Sequence, residues 1–305
     1  MGAADIPSDL PYSFEFVEAP ADLRPYCNSL YIFRAAAPGF EDWLPAYSGQ
    51  LAIVPSGRAD MVFDKGRVGH TSEVTLMGPL LKARQFRING PMLMLGVSLN
   101  FRGWAALTQL PVNENHDDFL PPETGFASEL IERLAAIPEA LRSGAMDERE
   151  GLDAMACVVR DGLGELSVRH VQVIDTTLEW LSSSFKPEIE VLQDKLPYSE
   201  RQVQRLVTRF FGQPPVRLIR RYRAVRAATL LSLPELPVEL EAEIRDAFYD
   251  QAHMIKEIRA FTGRTPRRLE KGADTPVKDM LGPDGYSSVD LFGGSQDRQL
   301  GRMPR

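Results

Sequence analysis

The sequence predicts an α+β protein with several domains, in which a β-sandwich or barrel-like N-terminal domain precedes an all-α C-terminal domain. Up to about residue 118, short apolar runs alternate with turn residues, whereas after it the apolar residues recur every three to four positions. A chain of 305 residues also exceeds what one small core usually absorbs, which favours more than one domain.

The β-rich part runs from Tyr12 to about Asn100. The stretch QLAIVPSGRADMVFDKG is interpreted as a strand, a Pro-Ser-Gly turn and a second strand, and VTLMGPLL and PMLMLGVSLNF continue the pattern. Short strands at close spacing, separated by Gly and Pro, are typical of a sandwich or a small barrel. The segments between them are too short for the helical crossovers of a parallel sheet. Residues 1–125 are therefore predicted to form one β-rich domain.

Residues 126–166 are predicted to be a helical connector. FASELIERLAAI places Leu130, Ile131 and Leu134 on one helical face, and DEREGLDAMACVVRDGL contains a second apolar stripe at spacings of three and four. Two interpretations remain open, because such stripes either pack into the core of one subunit or form a helix–helix contact between two subunits.

Short helices are predicted from Ser167 to about Leu269, and residues 167–270 are assigned to one domain. The remaining residues, 271–305, are rich in Gly, Pro, Asp and Ser and contain few apolar residues. This composition predicts a tail that is disordered or docks only weakly.

The stretch SERQVQRLVTRFFG, Ser199–Gly212, is predicted to be a short amphipathic helix. Serine is a good N-cap, and glycine is a good C-terminal stop. Apolar residues at positions i, i+3, i+4 and i+7 predict a buried stripe, which consists of Val203, Leu206, Val207 and Phe210.

The opposite side of this helix is strongly basic. Arg201, Arg205 and Arg209 recur at intervals of four, and Gln204 lies between them. The stretch Ser199–Arg226 contains eight arginines and one acid, a formal charge of +7, whereas the whole chain carries -7. A basic segment in an acidic protein predicts a polyanionic partner, because solvated faces normally mix both signs. Arginine and glutamine also form two-pronged hydrogen bonds with guanine and adenine edges.

The residues before this helix complete a recognisable arrangement. PEIEVLQDKLPYSERQVQRL predicts a helix, a tight turn at Leu196–Tyr198 and a second helix. In a helix-turn-helix the second helix enters the major groove, where its N-terminal half reaches the base edges. The predicted partner is therefore double-stranded DNA.

The C-terminal region resembles the AraC/XylS family of bacterial transcription regulators over roughly residues 167–270. SERQVQRLVTRFFGQPPVRLIRRYRAVRAATLL resembles the first recognition helix and the linker helix of that family, with its Gly-x-x-Pro turn at Gly212–Pro215. AFYDQAHMIKEIRAFTGRTPRRL, Ala247–Leu269, resembles the second recognition helix and the closing F-x-x-x-x-G-x-T-P signature. IVPSGRADMVF and GVSLNFRGWAALTQLP are similar to the cupin-like domain of some members. The resemblance implies two helix-turn-helix units and an N-terminal domain that senses an effector or dimerises.

The resemblance also implies which residues contact DNA. The positions that match base contacts are Arg201, Gln204 and Arg205 in the first recognition helix and Gln251, His253 and Lys256 in the second. Arg209 and Arg220 are assigned to phosphates, which add affinity and salt dependence without sequence information.

The second unit departs from the family pattern. Ala247 replaces a glycine that is usual there, so its turn is expected to adopt a different backbone conformation. The stretch ELPVELEAEIRD contains five acids and one base, and an acidic first helix would repel the phosphates that it should cross. The second unit is therefore expected to bind DNA weakly or not at all. In the first unit, Gln193 and Pro197 stand where a small residue and a glycine are common.

No cofactor and no metal are predicted, and the protein is not expected to be an enzyme. His116, Asp117 and Asp118 are adjacent on one predicted loop, where side chains rarely converge on one ion. The two cysteines, Cys27 and Cys157, lack metal-site spacing, and Cys27 is expected to be a small buried residue. The sequence contains neither an apolar run of roughly 18 residues nor a recognisable secretory signal, so a cytoplasmic location without membrane contact is expected.

The sequence therefore predicts a sequence-specific DNA-binding transcription regulator that responds to a small-molecule effector through its N-terminal domain. Trp43 and Tyr47 are candidates for the wall of a ligand pocket. RNA polymerase and a second copy of the chain are further expected partners. A protein-interaction module with a degenerate DNA-binding domain is the alternative, and a cupin-like enzyme is the third interpretation.

Overall fold

An antiparallel sheet of eight strands organises the N-terminal half of the protein. It is seen in a computed structural model that describes residues 12–36, 40–232, 236, 238–271 and 276–281. The strands are β1 (Tyr12–Val17), β2 (Cys27–Ala35), β3 (Phe40–Leu44), β4 (Gln50–Val62), β5 (Val68–His70), β6 (Val74–Met77), β7 (Arg84–Leu99) and β8 (Phe119–Leu120).

The long strands β4 and β7 form the centre of this sheet. The strand order is β1-β2-β7-β4-β6-β8, with β3 beside β7 and β5 beside β4. The predicted Pro-Ser-Gly turn is wrong, because β4 continues through it as a bulge where the pairing with β7 shifts register between Ile53 and Arg58. Gly57 has a φ of 78°, and a Cβ there would lie 2.4 Å from the carbonyl oxygen of Pro91. The bulge bends the strand without breaking its pairing.

Alternate residues of the sheet face two different cores. On β2, Leu30 and Ile32 belong to one buried cluster, whereas Tyr31 and Phe33 belong to another. The alternation follows from the two-residue period of a strand. Aromatic residues dominate the second face, which encloses a cavity. The predicted β-rich N-terminal domain is confirmed, and we call it the barrel domain.

The predicted connector packs on the other face of the sheet. It forms α2 (Ser128–Ser143) and α3 (Glu148–Gly162), which contact β4 and β7 respectively. Leu134, Met155 and Val159 are fully buried there. The two apolar stripes are therefore buried in the core of one subunit, which was the first of the two open interpretations. A helix that was not predicted, α1 (Phe101–Thr108), follows β7.

The C-terminal half is all-α, as predicted. The helices are α4 (Val168–Ser182), α5 (Ile189–Lys195), α6 (Glu200–Phe211), α7 (Pro215–Leu231), α8 (Val238–Ala247), α9 (Gln251–Thr262), α10 (Pro266–Lys271) and α11 (Pro276–Leu281). The predicted caps of α6 are confirmed: Ser199 and Gln202 form a capping box, and Gly212 is left-handed with a φ of 77°.

The prediction of a disordered tail over 271–305 is wrong for Pro276–Leu281. These residues form α11, which packs against β3, and Met280 and Leu281 are buried. Met280 and Leu281 pack in a position that sequence composition does not reveal. The other tail residues, 272–275 and 282–305, lie outside the described residues.

Among the described residues, the structure contains no helix with both the length and the apolar composition to span a membrane.

Candidate functional site

The first helix-turn-helix unit presents one exposed polar face. α5 and α6 are joined by a turn in which the amide of Tyr198 donates to the carbonyl of Leu196 at 2.8 Å. Leu192 on α5 and Val203 and Val207 on α6 are buried in the same cluster. The other side of α6 therefore faces solvent.

The four residues that were predicted to contact DNA on α6 lie together on this exposed side. They are Arg201, Gln204, Arg205 and Arg209. Within the described part of the chain no carboxylate forms a salt bridge with these three arginines, and the Gln204 amide donates to Glu200 at 3.3 Å. Unpaired guanidinium groups on an exposed helix can bind phosphates and base edges without first breaking an internal ion pair.

The eight arginines of the basic segment do not all face solvent. Arg221 is buried over the ring of Phe101, and Arg226 lies 4.5 Å from the ring centre of Phe185. Arg223 binds Glu257 and retains only 10% of its side-chain exposure. The charge of the segment therefore overstates the basic surface that is free to meet a polyanion, because about half of the arginines hold helices together.

Glu257 is the centre of this internal network. The carboxylate is 2% exposed and accepts hydrogen bonds from Arg220 Nε and Arg223 Nη2, each at 2.6 Å. His253 Nε2 lies 3.3 Å from the same carboxylate. These contacts clamp the linker helix α7 to the recognition helix α9. Arg220 and His253 were both predicted to contact DNA, and both also contact Glu257. Arg220 remains 52% exposed.

The second unit consists of α8 and α9. Gln251 and Lys256 are exposed on α9, as the resemblance requires, and Asp250 caps the helix by accepting from the His253 amide at 2.7 Å. Ala247 does not have a positive φ, so the turn forms without the conformation that favours glycine. On α8 the acids Glu241, Glu243 and Asp246 are exposed.

Tyr249 is a surface residue that sequence reasoning missed. Its side chain is 91% exposed immediately before the N-cap of α9. The sequence alone could have drawn attention to Tyr249, because this large aromatic residue directly precedes the predicted second recognition helix. Arg217 and Arg259 are further exposed cations near the two units.

The barrel domain caps the C-terminal ends of both recognition helices. The amide of Val112 donates to the carbonyl of Arg209 on α6 at 2.7 Å. On α9, the carbonyls of Phe261 and Ala260 accept from the amides of Ala46 at 2.7 Å and Ala83 at 3.1 Å. The last carbonyls of a helix have no partner within it, so these bonds satisfy them from the other domain.

Side chains reinforce the contact with the second unit. Asp42, which is 2% exposed, forms an ion pair with Arg264 directly after α9. Gly263 has a φ of 76°, and a Cβ there would lie 2.3 Å from Trp43. This position therefore requires glycine for two reasons: the positive φ of its backbone and the close approach of the Trp43 side chain. Trp43 belongs to this interface and does not line the cavity.

The cavity of the barrel domain is lined almost entirely by apolar side chains. Its volume is about 110 Å³, and none of the described residues that line it is charged. Tyr47 lines it, as predicted. The other aromatic residues of the wall are Phe14, Phe16, Tyr31, Phe33, Phe86 and Phe119.

One end of the cavity is polar. Ser98 Oγ donates to Tyr47 Oη at 2.7 Å and accepts from Gln50 Nε2 at 3.3 Å. The buried Gln50 Oε1 and Ser29 Oγ have no hydrogen-bond partner among the described residues. Buried polar atoms are normally paired, so these two atoms indicate a place for a ligand or water.

The helix α11 closes part of the cavity wall. Met280 lines the cavity, and the Tyr12 hydroxyl donates to Asp279 at 2.9 Å. The wall therefore includes a residue that follows the second helix-turn-helix unit in the chain.

The loop containing His116 and Asp117 is structural. Asp117 Oδ1 accepts from Arg84 Nε at 2.9 Å and from the Leu81 amide at 3.2 Å. Burial alone would raise the pKa of Asp117, but hydrogen bonds from His116 and Arg84 outweigh it and lower that pKa. No group of three or more potential metal ligands occurs among the described residues. Asp117 is therefore a buried residue that holds this loop against Arg84 and Leu81.

Two family models match the chain. Residues 192–272 match a helix-turn-helix domain, and residues 15–121 match a domain of unknown function, DUF6597. No curated protein sequence matches the chain.

Solved structures with similar arrangements share little sequence with the chain. ToxT from Vibrio cholerae O395 has 10% identity and a TM-score of 0.44, covering 80% of this chain and 98% of that one. Unsaturated fatty acid-bound wild-type ToxT from V. cholerae strain SCE256 has 9% identity and a TM-score of 0.44, covering 81% and 96%. A Klebsiella pneumoniae protein with a double-stranded β-helix domain has 18% identity and a TM-score of 0.24, covering 31% and 77%.

The two helix-turn-helix units and the family match at residues 192–272 define a DNA-binding transcription regulator. The helix-turn-helix match at residues 192–272 agrees with the resemblance of this region to the AraC/XylS regulators that was found in the sequence.

Proposed function

We propose that the protein recognises its operator mainly through α6 and that a small molecule in the barrel cavity controls this binding. The observation that carries the proposal is the exposed face of α6, where Arg201 and Arg205 lie beside Gln204 and, among the described residues, form no salt bridge with a carboxylate. Arg209 supports the same contact as a phosphate ligand.

The remaining predicted contacts have a smaller part in this proposal. Gln251 and Lys256, which are exposed, would contact a second major groove, whereas His253 and Arg220 also contact Glu257. The exposed acids of α8 oppose the approach of phosphates. We therefore assign the second unit a supporting role in DNA binding.

The effector acts through the contacts between the barrel domain and both recognition helices. A ligand changes DNA affinity only if it binds the DNA-competent and DNA-incompetent states with different affinities. The bonds from Val112, Ala46 and Ala83 to α6 and α9 are the contacts that a change in the barrel would alter first. An apolar or amphipathic small molecule suits the lining of the cavity.

The proposal places the protein in the bacterial cytoplasm, where it meets double-stranded DNA. A second copy of the chain and RNA polymerase remain predicted partners. Since the stripes of α2 and α3 pack on the sheet, a dimer would have to use another surface.

Binding to fragmented genomic DNA at several salt concentrations tests the proposal. We expect specific fragments to be enriched by the unmodified protein and not by Arg205→Ala, while Arg24→Ala, an exposed arginine of the barrel domain, retains the enrichment. Arg209→Ala should weaken binding to all fragments about equally and reduce the salt slope by about 1.

Absence of enrichment at every salt concentration would favour the alternative, a protein-interaction module whose DNA-binding domain has degenerated. The acidic surface of α8 is the observation that supports that alternative. The third interpretation, a cupin-like enzyme, lacks support from metal ligands, since the described residues contain no cluster of them.

A further inference from the structure

The polar end of the barrel cavity restricts the chemistry of a ligand more than its apolar wall does. Gln50 is 6% exposed and Ser29 is 4% exposed, and both line the cavity. Gln50 Oε1 and Ser29 Oγ lack a hydrogen-bond partner among the described residues. Leaving such atoms unpaired is costly, so a ligand that pairs with them gains affinity.

The orientation of the Gln50 amide decides which group the ligand must offer. Ser98 Oγ gives its proton to Tyr47 Oη, so it can only accept from Gln50 Nε2. The amide nitrogen is therefore directed at Ser98, and the amide oxygen remains as an acceptor. A ligand must bring an O–H or N–H donor to that oxygen, while the Ser29 hydroxyl can donate or accept.

The lining excludes ions of either sign. Among the described residues it contains no arginine, lysine or histidine to pair with a carboxylate, and no aspartate or glutamate to pair with an ammonium group. An unpaired ion in an apolar site loses its hydration without compensation. A carboxylate would in addition face the acceptor oxygen of Gln50.

The size of the cavity sets a further limit. Its volume is about 110 Å³, and an apolar protein cavity of about 150 Å³ is known to bind benzene. Seven aromatic side chains line it, and aromatic rings pack well in offset or edge-to-face arrangements. The volume and the aromatic wall therefore both suit one ring.

We propose that the barrel cavity binds a neutral molecule of about one aromatic ring that carries a single hydroxyl or N–H donor, held by Gln50 and Ser29. This inference rests on the proposed effector role of the barrel domain and adds the chemical class of the effector. Anionic and cationic molecules with the same ring are excluded.

Three probes with one shared ring test the proposal: benzyl alcohol, benzoate and benzylamine at neutral pH, where the first is neutral and the others are charged. The readout is the NMR signal of isotope-labelled methionine methyl groups in the full chain without DNA. Met61, Met77, Met94 and Met280 line the cavity, whereas Met155 on α3 is buried in a different cluster and serves as the internal control.

We expect benzyl alcohol to shift the four cavity signals, with a dissociation constant in the millimolar range for so small a probe. Benzoate and benzylamine should bind at least about tenfold more weakly. Equal or stronger shifts with benzoate or benzylamine would overturn the inference. A lack of shifts with all three probes would also overturn it.

Gln50→Leu separates recognition of the donor from filling of the cavity. It should weaken benzyl alcohol binding by about tenfold and leave binding of toluene, which has no donor, unchanged or improved. Unchanged affinity for benzyl alcohol in Gln50→Leu would contradict the assigned role of Gln50. Because these measurements need no DNA, their result is independent of the genomic DNA experiment, and failure of one is distinguishable from failure of the other.

Discussion

The two helix-turn-helix units share a motif but differ in how their recognition helices are held and charged. α6 has exposed arginines without an acidic partner among the described residues and a short polar first helix before it. α9 carries the buried Glu257, which binds two arginines of α7 and faces His253, and it follows the acidic helix α8.

The difference indicates that the two units have different functions within one domain. The arginines on α6 of the first unit remain available for a partner. In the second unit, Glu257 on α9 binds Arg220 and Arg223 of α7, so these two arginines hold α7 and α9 together. The second unit is also fastened to the barrel domain by the ion pair of Asp42 with Arg264 and by two backbone bonds. It is therefore the unit through which a change in the barrel domain is best transmitted.

Removal of Glu257 should have the largest effect. Glu257→Ala leaves the guanidinium of Arg223, which is 10% exposed, without its partner, and breaking a buried ion pair in this way costs about 3–5 kcal/mol. The free energy of unfolding measured with urea should fall accordingly.

The matched control for Glu257→Ala is Glu241→Ala, which removes an exposed i,i+4 pair with Arg245 and should change stability by about 0.5 kcal/mol or less. Equal effects of the two variants would show that the buried network does not hold α7 and α9 together.

The next largest effect is expected on DNA affinity. With a fragment enriched by the unmodified protein, Arg205→Ala should cost about 1–3 kcal/mol of binding free energy because it removes a base contact. Lys256→Ala should cost less, because the acids of α8 weaken the approach of the second unit. Fluorescence anisotropy of the labelled fragment measures both. A larger loss for Lys256→Ala would reverse the proposed ranking of the units.

Asp42→Asn should loosen the second unit from the barrel domain and leave the first unit in place. Hydrogen bonds to charged groups contribute about 1.5–3 kcal/mol, so local opening should become roughly tenfold or more frequent. Hydrogen exchange of the Ala46 and Ala83 amides, which bind α9, should accelerate. Exchange of Val112, which binds α6, is the internal control and should not change. Acceleration at all three amides would indicate that the barrel releases both units together.

The smallest effect is expected from the surface of α8. Replacing Glu241 and Glu243 by glutamine removes two exposed negative charges and should raise DNA affinity a few-fold at low salt, with the gain shrinking as salt increases. The same replacements at the exposed Glu129 and Glu132 change the net charge by the same amount on α2, which packs on β4 and α3. If the α2 variant gained as much affinity, net charge rather than the position of α8 would be responsible.

Local patterns made much of the DNA-binding domain predictable. The apolar stripe of α6, its capping box and its C-terminal glycine all depend on residues within a few positions of one another, which is why their prediction was confirmed. The sequence could not reveal that Arg221 and Arg223 point inward, because their partners, Phe101 and Glu257, lie in distant elements. It also could not reveal that Ser56–Gly57 forms a bulge, since that depends on pairing with β7.

The sequence by itself determined the fold class, the position of both helix-turn-helix units and the basic face of the first, because periodicity, caps and charge are properties of neighbouring residues. Only the tertiary structure decided which arginines remain free, how the barrel domain caps α6 and α9, and that α11 closes a neutral cavity around Gln50 and Ser29. These features depend on contacts between residues far apart in the chain, which become neighbours only when the sheet and the helices pack.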